Sequence, residues 1–162
     1  MLHALVGRHA EYETVGAQQW KTIRKFKAGD HAKPEARNVM GLALKADEAR
    51  CDALVFARDR DGDRDREADV EDGIARATRS FGVRIVGGTA NEELEAWILA
   101  MLGTHRSESY SNPKEKLEND HRIATCVQMC DVVRDADFDR LPKDCASFQR
   151  WLVRLAALSK SA

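Results

Sequence analysis

Three aspartates at alternate positions, Asp59, Asp61 and Asp63, stand where the apolar run Leu54-Val55-Phe56-Ala57 breaks into a densely charged stretch. An extended chain repeats every two residues, so Asp59 and Asp61 leave a strand end on one side, near enough to share a divalent cation. Left without a cation, carboxylates about 4 Å apart at an effective dielectric near 20 repel by roughly 4 kcal/mol. Magnesium or manganese reverses that penalty. A second acidic group, Glu92, Glu93 and Glu95, follows the next apolar segment. Glu93 and Glu95 are two apart and cannot face identically on a helix, so one is expected to reach a metal while the other orients it or binds a second ion. The set expected to hold Mg2+ or Mn2+ is therefore Asp59, Asp61, Asp63, Glu93 and Glu95.

Two other readings of the acidic run compete with this one. In the first, Arg58, Arg60, Arg64 and Arg66 simply neutralise the aspartates in a solvated loop. The apolar strand leading directly into the run, the turn permitted by Gly62 and the second acidic group weigh for the metal site. The second is a calcium loop of EF-hand type, which opens in the same way but needs glycine at its sixth position and glutamate at its twelfth. Counted from Asp59, those positions hold Arg64 and Val70.

The elements that must position these acids follow from periodicity and punctuation. Pro34 suits the first turn of a helix that carries Val39, Met40, Leu42, Ala43 and Ala46 to about Arg50. It feeds a strand at 53–57. Ala68 to Phe81 reads as a helix with Val70, Ile74, Ala77 and Phe81 inward, and Gly82 ends it. Val83 to Val86 is a short strand, Gly87-Gly88 turns the chain, and Thr89 with Glu92 suggests a capping box opening the acidic helix. Alternating helices and strands predict an α/β fold with a parallel sheet flanked by helices, whose ligands gather at the carboxyl ends of the strands.

Before residue 28 the pattern is mixed: Leu2, Leu5 and Val6 suit a helix, and Trp20, Ile23 and Phe26 a short strand or packed loop. Ala28-Gly29-Asp30 breaks it. The last third is helical: Asn112-Pro113 as cap and first turn, Ile123 to Val133, and Ser147 to Leu158, where Phe148, Trp151, Leu152, Leu155 and Leu158 form a core stripe. The domain reading is an α/β core at 1–110 and a helical C-terminal extension at 111–162 packed on it.

Composition narrows the function classes. With 26 Lys and Arg against 27 Asp and Glu among 162 residues, no global positive field exists to hold nucleic acid by phosphate contacts alone. Binding to nucleic acid must be local, metal-assisted or partner-assisted. No apolar run reaches the length of a membrane span, and the first residues lack the apolar centre of a secretory signal, so a cytoplasmic protein is expected. Cys51, Cys126, Cys130 and Cys145 read as buried free thiols, since a zinc set with His121 lacks the paired knuckle spacing. The scattered histidines form no metalloprotease pattern, and neither a nucleophile elbow nor a glycine-rich phosphate loop occurs.

Leu54 to Gly62, an apolar strand ending in Asp-x-Asp-Gly, resembles the second motif of Toprim domains. The sequel Asn91-Glu92-Glu93-Leu94-Glu95-Ala96-Trp97, then Asn112-Pro113-Lys114, then Ser147-Phe148-Gln149-Arg150-Trp151-Leu152, is similar to a Toprim-related bacterial family of unknown function. That family is related to the overcoming-lysogenization-defect (OLD) nucleases and is often encoded beside an ABC-type ATPase. The resemblance covers about 51–158. It implies a Mg2+-dependent nuclease component of a phage or mobile-element defence complex. DNA is expected in preference to RNA as substrate, with an ATPase subunit as partner and homo-oligomers as a further assembly. Asp59, Asp61 and Glu93 match its catalytic acids, Glu95 completes the acidic pair before Ala-Trp, and Lys114 matches a positively charged catalytic residue. The strand, glycine turn and glutamate that open Toprim enzymes have no counterpart before Leu2-His3-Ala4-Leu5-Val6. The alternative implied is a degenerate, non-catalytic subunit of such a complex.

Overall fold

The computed structural model describes residues 1–23 and 33–159. Phe26 and the Ala28-Gly29-Asp30 break lie outside the described residues. Seven α-helices and four short strands are found among those described: α1 (Leu2–Gly7), α2 (Pro34–Glu48), β1 (Ala53–Val55), β2 (Arg58–Asp59), α3 (Arg66–Ser80), β3 (Arg84–Val86), β4 (Thr89–Ala90), α4 (Glu95–Met101), α5 (Pro113–His121), α6 (Cys126–Asp135) and α7 (Ala146–Ser159). Trp20–Thr22 forms a single 3-10 turn rather than a strand. No helix is long and apolar enough to cross a membrane among the described residues.

The four strands are two continuous ones. β1 pairs with β3 in parallel, Ala53 opposite Arg84, and β2 pairs with β4 in parallel, Arg58 opposite Thr89, so one register runs through both pairs. Between them Phe56 N donates to Val86 O (2.9 Å) and Arg58 N to Gly88 O (3.0 Å), and beyond them Arg60 N donates to Ala90 O (3.1 Å). Gly87-Gly88 therefore belongs to the ladder and makes no turn. The residue opposite Phe56 in this register is Gly87, and the reason is space: a Cβ there would lie 2.2 Å from Phe56 Cε1. Thr89 is likewise a buried strand residue. The capping box expected from Thr89 and Glu92 does not form, and the acidic helix begins only at Glu95.

A two-stranded sheet has little stability alone and must be covered on both faces. On one face Leu54, Phe56, Val83 and Ile85 pack against α2 and α3 with Val39, Met40, Ala43, Val70 and Ala77. Those helices cross so closely at Gly73 that an added Cβ would meet Ala36 Cα at 2.8 Å. On the other face Val55, Ala57, Val86 and Ala90 join a larger core drawn from α1 and α4 to α7. Trp97 stacks on Phe148 there (centroids 5.0 Å) and tilts against Trp151 (5.6 Å). Rings of this size bury roughly 150 to 250 Å² each, a gross gain of about 4 to 6 kcal/mol before conformational entropy is subtracted. The parallel sheet flanked by helices expected from the sequence is thus present, and helices α5 to α7 share the core with the ladder.

Helix α7 is stitched to the ladder turn by turn. Ser147 Oγ accepts from Asn91 N (3.3 Å), Trp151 Nε1 donates to Phe56 O (3.0 Å), Arg154 donates to Gly87 O, and Leu158 O accepts from Arg84 Nη1 (3.1 Å). Arg154 also reaches α3 through a bidentate pair with Glu71 (3.0 and 2.7 Å). The first turn of α7 rests on one carboxylate. Glu108 Oε1 accepts from Ser147 N (3.0 Å), Phe148 N (3.1 Å) and Cys145 Sγ (3.1 Å), as well as from Ser147 Oγ. Burial pushes the Cys145 thiol up to about 12, so it stays a protonated donor. The buried-thiol reading holds for Cys145 but not for Cys126, which is exposed.

Replacing Gly87 with alanine forces Phe56 off its seat and is expected to cost about 1 to 3 kcal/mol in chemical denaturation, the range for overpacking. Combined with Phe56→Leu the loss should be smaller than the sum of the two single losses, because the same clash is relieved.

Candidate metal centre at the end of the ladder

Both strands deliver their carboxyl ends to one place. In β2 the side chains alternate, so Phe56 and Arg58 face α2 while Asp59 faces α4. Asp59 Oδ1 accepts from Leu94 N (2.9 Å), which ties the strand end to the loop entering α4. That loop leaves β4 through Asn91 and Glu92, the latter with a left-handed backbone (φ 60°), and Asp61 N donates to Glu92 O (3.2 Å). Of Glu92, Glu93 and Glu95, only Glu95 lies in the first helical turn; Glu92 and Glu93 precede the helix.

Carboxylates crowd at this point. Burial raises the pKa of Asp59, the Leu94 hydrogen bond opposes the rise, and the charges of Asp61 and Glu93 add to it. Glu95 is raised likewise, first by burial and then by Glu93 and Asp59, with Lys114 pulling the other way. Glu93 has an occupation of its own: Oε2 accepts from Lys114 N (3.2 Å) at the start of α5, whose N-cap is the Asn112 side chain. Lys114 is exposed, and its ammonium charge reaches Glu95. Asp59 and Glu95 thus each feel the charge of Glu93, which itself touches the backbone of Lys114.

Asp61 and Asp63 go elsewhere. Asp61 (φ 49°) and Gly62 (φ 72°) are successive left-handed residues, and Asp63 N donates to Arg60 O (3.0 Å). This is a type I′ turn, for which Asp-Gly is a preferred pair because aspartate tolerates and glycine favours positive φ. Reversing the chain there takes Asp61 off the line of Asp59. Its Oδ2 lies 2.7 Å from Arg66 Nη1 and 3.3 Å from Arg58 Nη1. Asp63 is half exposed and faces Arg66 Nη2 at 3.7 Å. The neutralising arginines of the competing sequence reading are thus real partners of these two acids.

Glu35 was not expected at the site. Arg66 Nη1 also donates to Asp59 O and Arg60 O (both 2.8 Å), and Glu35 Oε1 stands behind both guanidiniums, 3.3 Å from Arg66 Nε and 3.6 Å from Arg58 Nη2. Glu35 in turn accepts from Trp20 Nε1 (2.6 Å). Proline at the start of α2 with a glutamate directly after it was the available signal, but nothing in the spacing connects Glu35 to Arg58. His105 pairs with Asp144 (3.2 Å) outside this group.

Oxygen-only donors and an excess of negative charge suit a hard divalent cation in chemistry. In placement the set is incomplete: among the described residues no three His, Cys, Asp or Glu side chains are gathered as metal ligands. Comparison with known proteins adds no relative, since no family model, curated protein or solved structure matches the chain.

The upward shifts carry a stability consequence with a definite sign. Asp59 and Glu95 hold protons more tightly folded than unfolded, so their contribution is full below the ordinary carboxylate range and is lost as pH rises through the raised values. At pH 7 the metal-free protein is therefore destabilised by both. Asp59→Asn and Glu95→Gln are each expected to raise the melting temperature at pH 7 by a few degrees, and the advantage should vanish near pH 4 in thermal melts with chelator present.

Proposed function

We propose that the chain is a Toprim-like, metal-dependent nuclease component that cleaves phosphodiesters of DNA in preference to RNA. Its setting would be a cytoplasmic phage or mobile-element defence complex with an ABC-type ATPase. The observation that carries this reading is that Asp59, at the carboxyl end of a parallel ladder, accepts from the Leu94 amide between Glu93 and Glu95, while Glu93 accepts from Lys114 N. Crowded carboxylates held close despite their repulsion are a common preparation for a cation.

A bound Mg2+ or Mn2+ would supply Lewis-acid stabilisation of phosphate oxygens and a more acidic water. Asp59, fixed by the Leu94 amide, and Glu95, at the start of α4, would hold it, with Glu93 joining on release from the Lys114 amide. Asp61 and Asp63, the remaining acids of the proposed set, would join it only on leaving their arginine partners in the turn. The Lys114 ammonium would offset charge gathering on the phosphate or leaving oxygen, a role that needs no proton transfer. Nearly balanced charge over the chain leaves capture of the nucleic acid to the partner.

A second reading has an observation of its own. Asp61 is paired to two arginines and Glu93 to a helix amide, which suits a non-catalytic interaction subunit that keeps the fold and the acids. Cleavage of plasmid and single-stranded DNA in Mn2+, with and without an ABC-type ATPase supplied as partner, separates the two. The nuclease reading expects cleavage that falls by about 100-fold or more in Asp59→Asn and in Glu95→Gln, as for loss of a principal electrostatic contact. Absence of cleavage under both conditions favours the interaction subunit.

A further inference from the structure

We propose that the groove between the ends of α4 and α6 is a docking seat for a basic amphipathic helix of a partner protein, taking one apolar side chain and one arginine that stand a helical turn apart. Met101, in the groove, and Glu95 are the two ends of α4, roughly 9 Å apart along the helix. The seat is therefore independent of the acids at the ladder end.

The groove follows from how the two helices stop. After α4 the left-handed Gly103 (φ 84°) turns the chain back, with Gly103 N donating to Ala100 O and Thr104 N to Leu99 O (both 2.9 Å). This closes the helix but leaves Leu102 at the surface, 37% exposed. α6 adds little cover, since Val133 alone of its ten residues is buried. Between the two ends lies a cavity of about 310 Å3 whose apolar lining is Met101, Leu102, Val132 and Ala136. That volume is at the small end of the range for ligand sites and ample for one large apolar side chain.

Charge decides what must accompany that side chain. Asp131, Asp135 and Asp137 also line the cavity, and all three are exposed. Asp131 pairs with Arg134 and Asp137 with Arg140 (3.2 Å), whereas Asp135 has no hydrogen-bond or ion-pair partner among the described residues. One carboxylate without a cation, beside one leucine without cover, is complemented by a single cation next to a single apolar group. Arginine suits the place better than lysine, because its guanidinium is weakly hydrated and its methylene stem can lie along Leu102. The fold already shows a guanidinium seated at this end of α6. Arg8 lies over the Phe138 ring (4.8 Å) and donates to Val133 O (3.3 Å), Ala136 O (3.0 Å) and Arg134 O. A partner helix presents the two groups on one face when they are four residues apart, and a groove is a common seat for such a face.

NMR titration of the full chain tests it, with folding of each variant checked by circular dichroism. The probe is an acetylated, amidated alanine-based peptide of about 18 residues, long enough to be helical, with one leucine and one arginine four positions apart. It should give saturable shifts at the amides of Leu102, Asp135 and Ala136, and a peptide with the pair two positions apart, on different faces, should not. Replacing the peptide's arginine with glutamine, or Asp135→Asn in the chain, should each weaken binding about fivefold, and both together no more than either alone. Leu102→Ser should weaken it about tenfold, and added salt should lower the affinity. No saturable shift at those amides, or equal affinity in Asp135→Asn, overturns the seat. A dimer of the chain alone that Leu102→Ser abolishes in sedimentation velocity gives the groove to a second copy, and hexylamine binding as tightly as the peptide gives it to a small amine. Either of these results also overturns the proposal.

Discussion

The docking of α7 along the ladder is the constraint on which the rest depends. Two parallel strands cannot hold one another in water, and their backbone groups need partners beyond their own pairing. Ser147, Trp151 and Arg154 supply them at helical spacing, Leu158 O accepts from the Arg84 side chain one turn further on, and Phe148 and Leu155 fill the core between. The Trp151 indole reaches the carbonyl of Phe56 in the gap between β1 and β2. Glu108 anchors the start of the helix, so the loop before α5 and the helix after α6 are fastened to the same strand end. Loss of this arrangement would free both Asp59 and the Asn91–Glu95 loop.

From that fixed end the alternation of a single strand divides the charges. Arg58 turns toward α2 and meets Glu35; Asp59 turns toward α4 and meets Leu94 N and the glutamates. Every other residue thus feeds a different cluster, one neutralised by arginines and one left with excess negative charge. Asp61 belongs to the second by spacing and to the first by backbone conformation. A left-handed residue costs on the order of 1 to 2 kcal/mol, less for aspartate, and two guanidinium contacts are enough to offset it.

Much of the fold was legible from residue patterns. The apolar faces of α2, α3 and α7, the Asn112 cap and the strand before Asp59 all appear within a few residues of where periodicity and capping chemistry set them. Gly87-Gly88 misled because a glycine pair signals a turn locally, whereas here one glycine clears space for Phe56 across the ladder, a fact of pairing that no local signal carries. Thr89 misled for a related reason, since continuation of the ladder outweighed its capping propensity. At the ladder end, Asp59 accepts from the Leu94 amide between Glu93 and Glu95, so the acids that spacing singled out lie on adjoining segments. The diversion of Asp61 was not legible in the spacing, although Asp-Gly itself encodes the turn, because the period-two argument holds only while the chain stays extended. Glu35 and Glu108 act through tertiary contacts to distant elements and left no spacing to read.

Whether the crowded end of the ladder is a cation site is decided most directly by hydrogen–deuterium exchange at the amides of Arg60, Asp61 and Leu94, with and without Mg2+. These amides donate to Ala90 O, Glu92 O and Asp59 Oδ1, backbone-amide bonds that join the Arg60–Glu92 ion pair in tying the strand end to the loop carrying the glutamates. A cation shared by Asp59 and the glutamates should slow all three together, by about 100-fold when Mg2+ exceeds its dissociation constant by that factor and exchange proceeds through opening of the site. Unchanged exchange at saturating Mg2+ would contradict it.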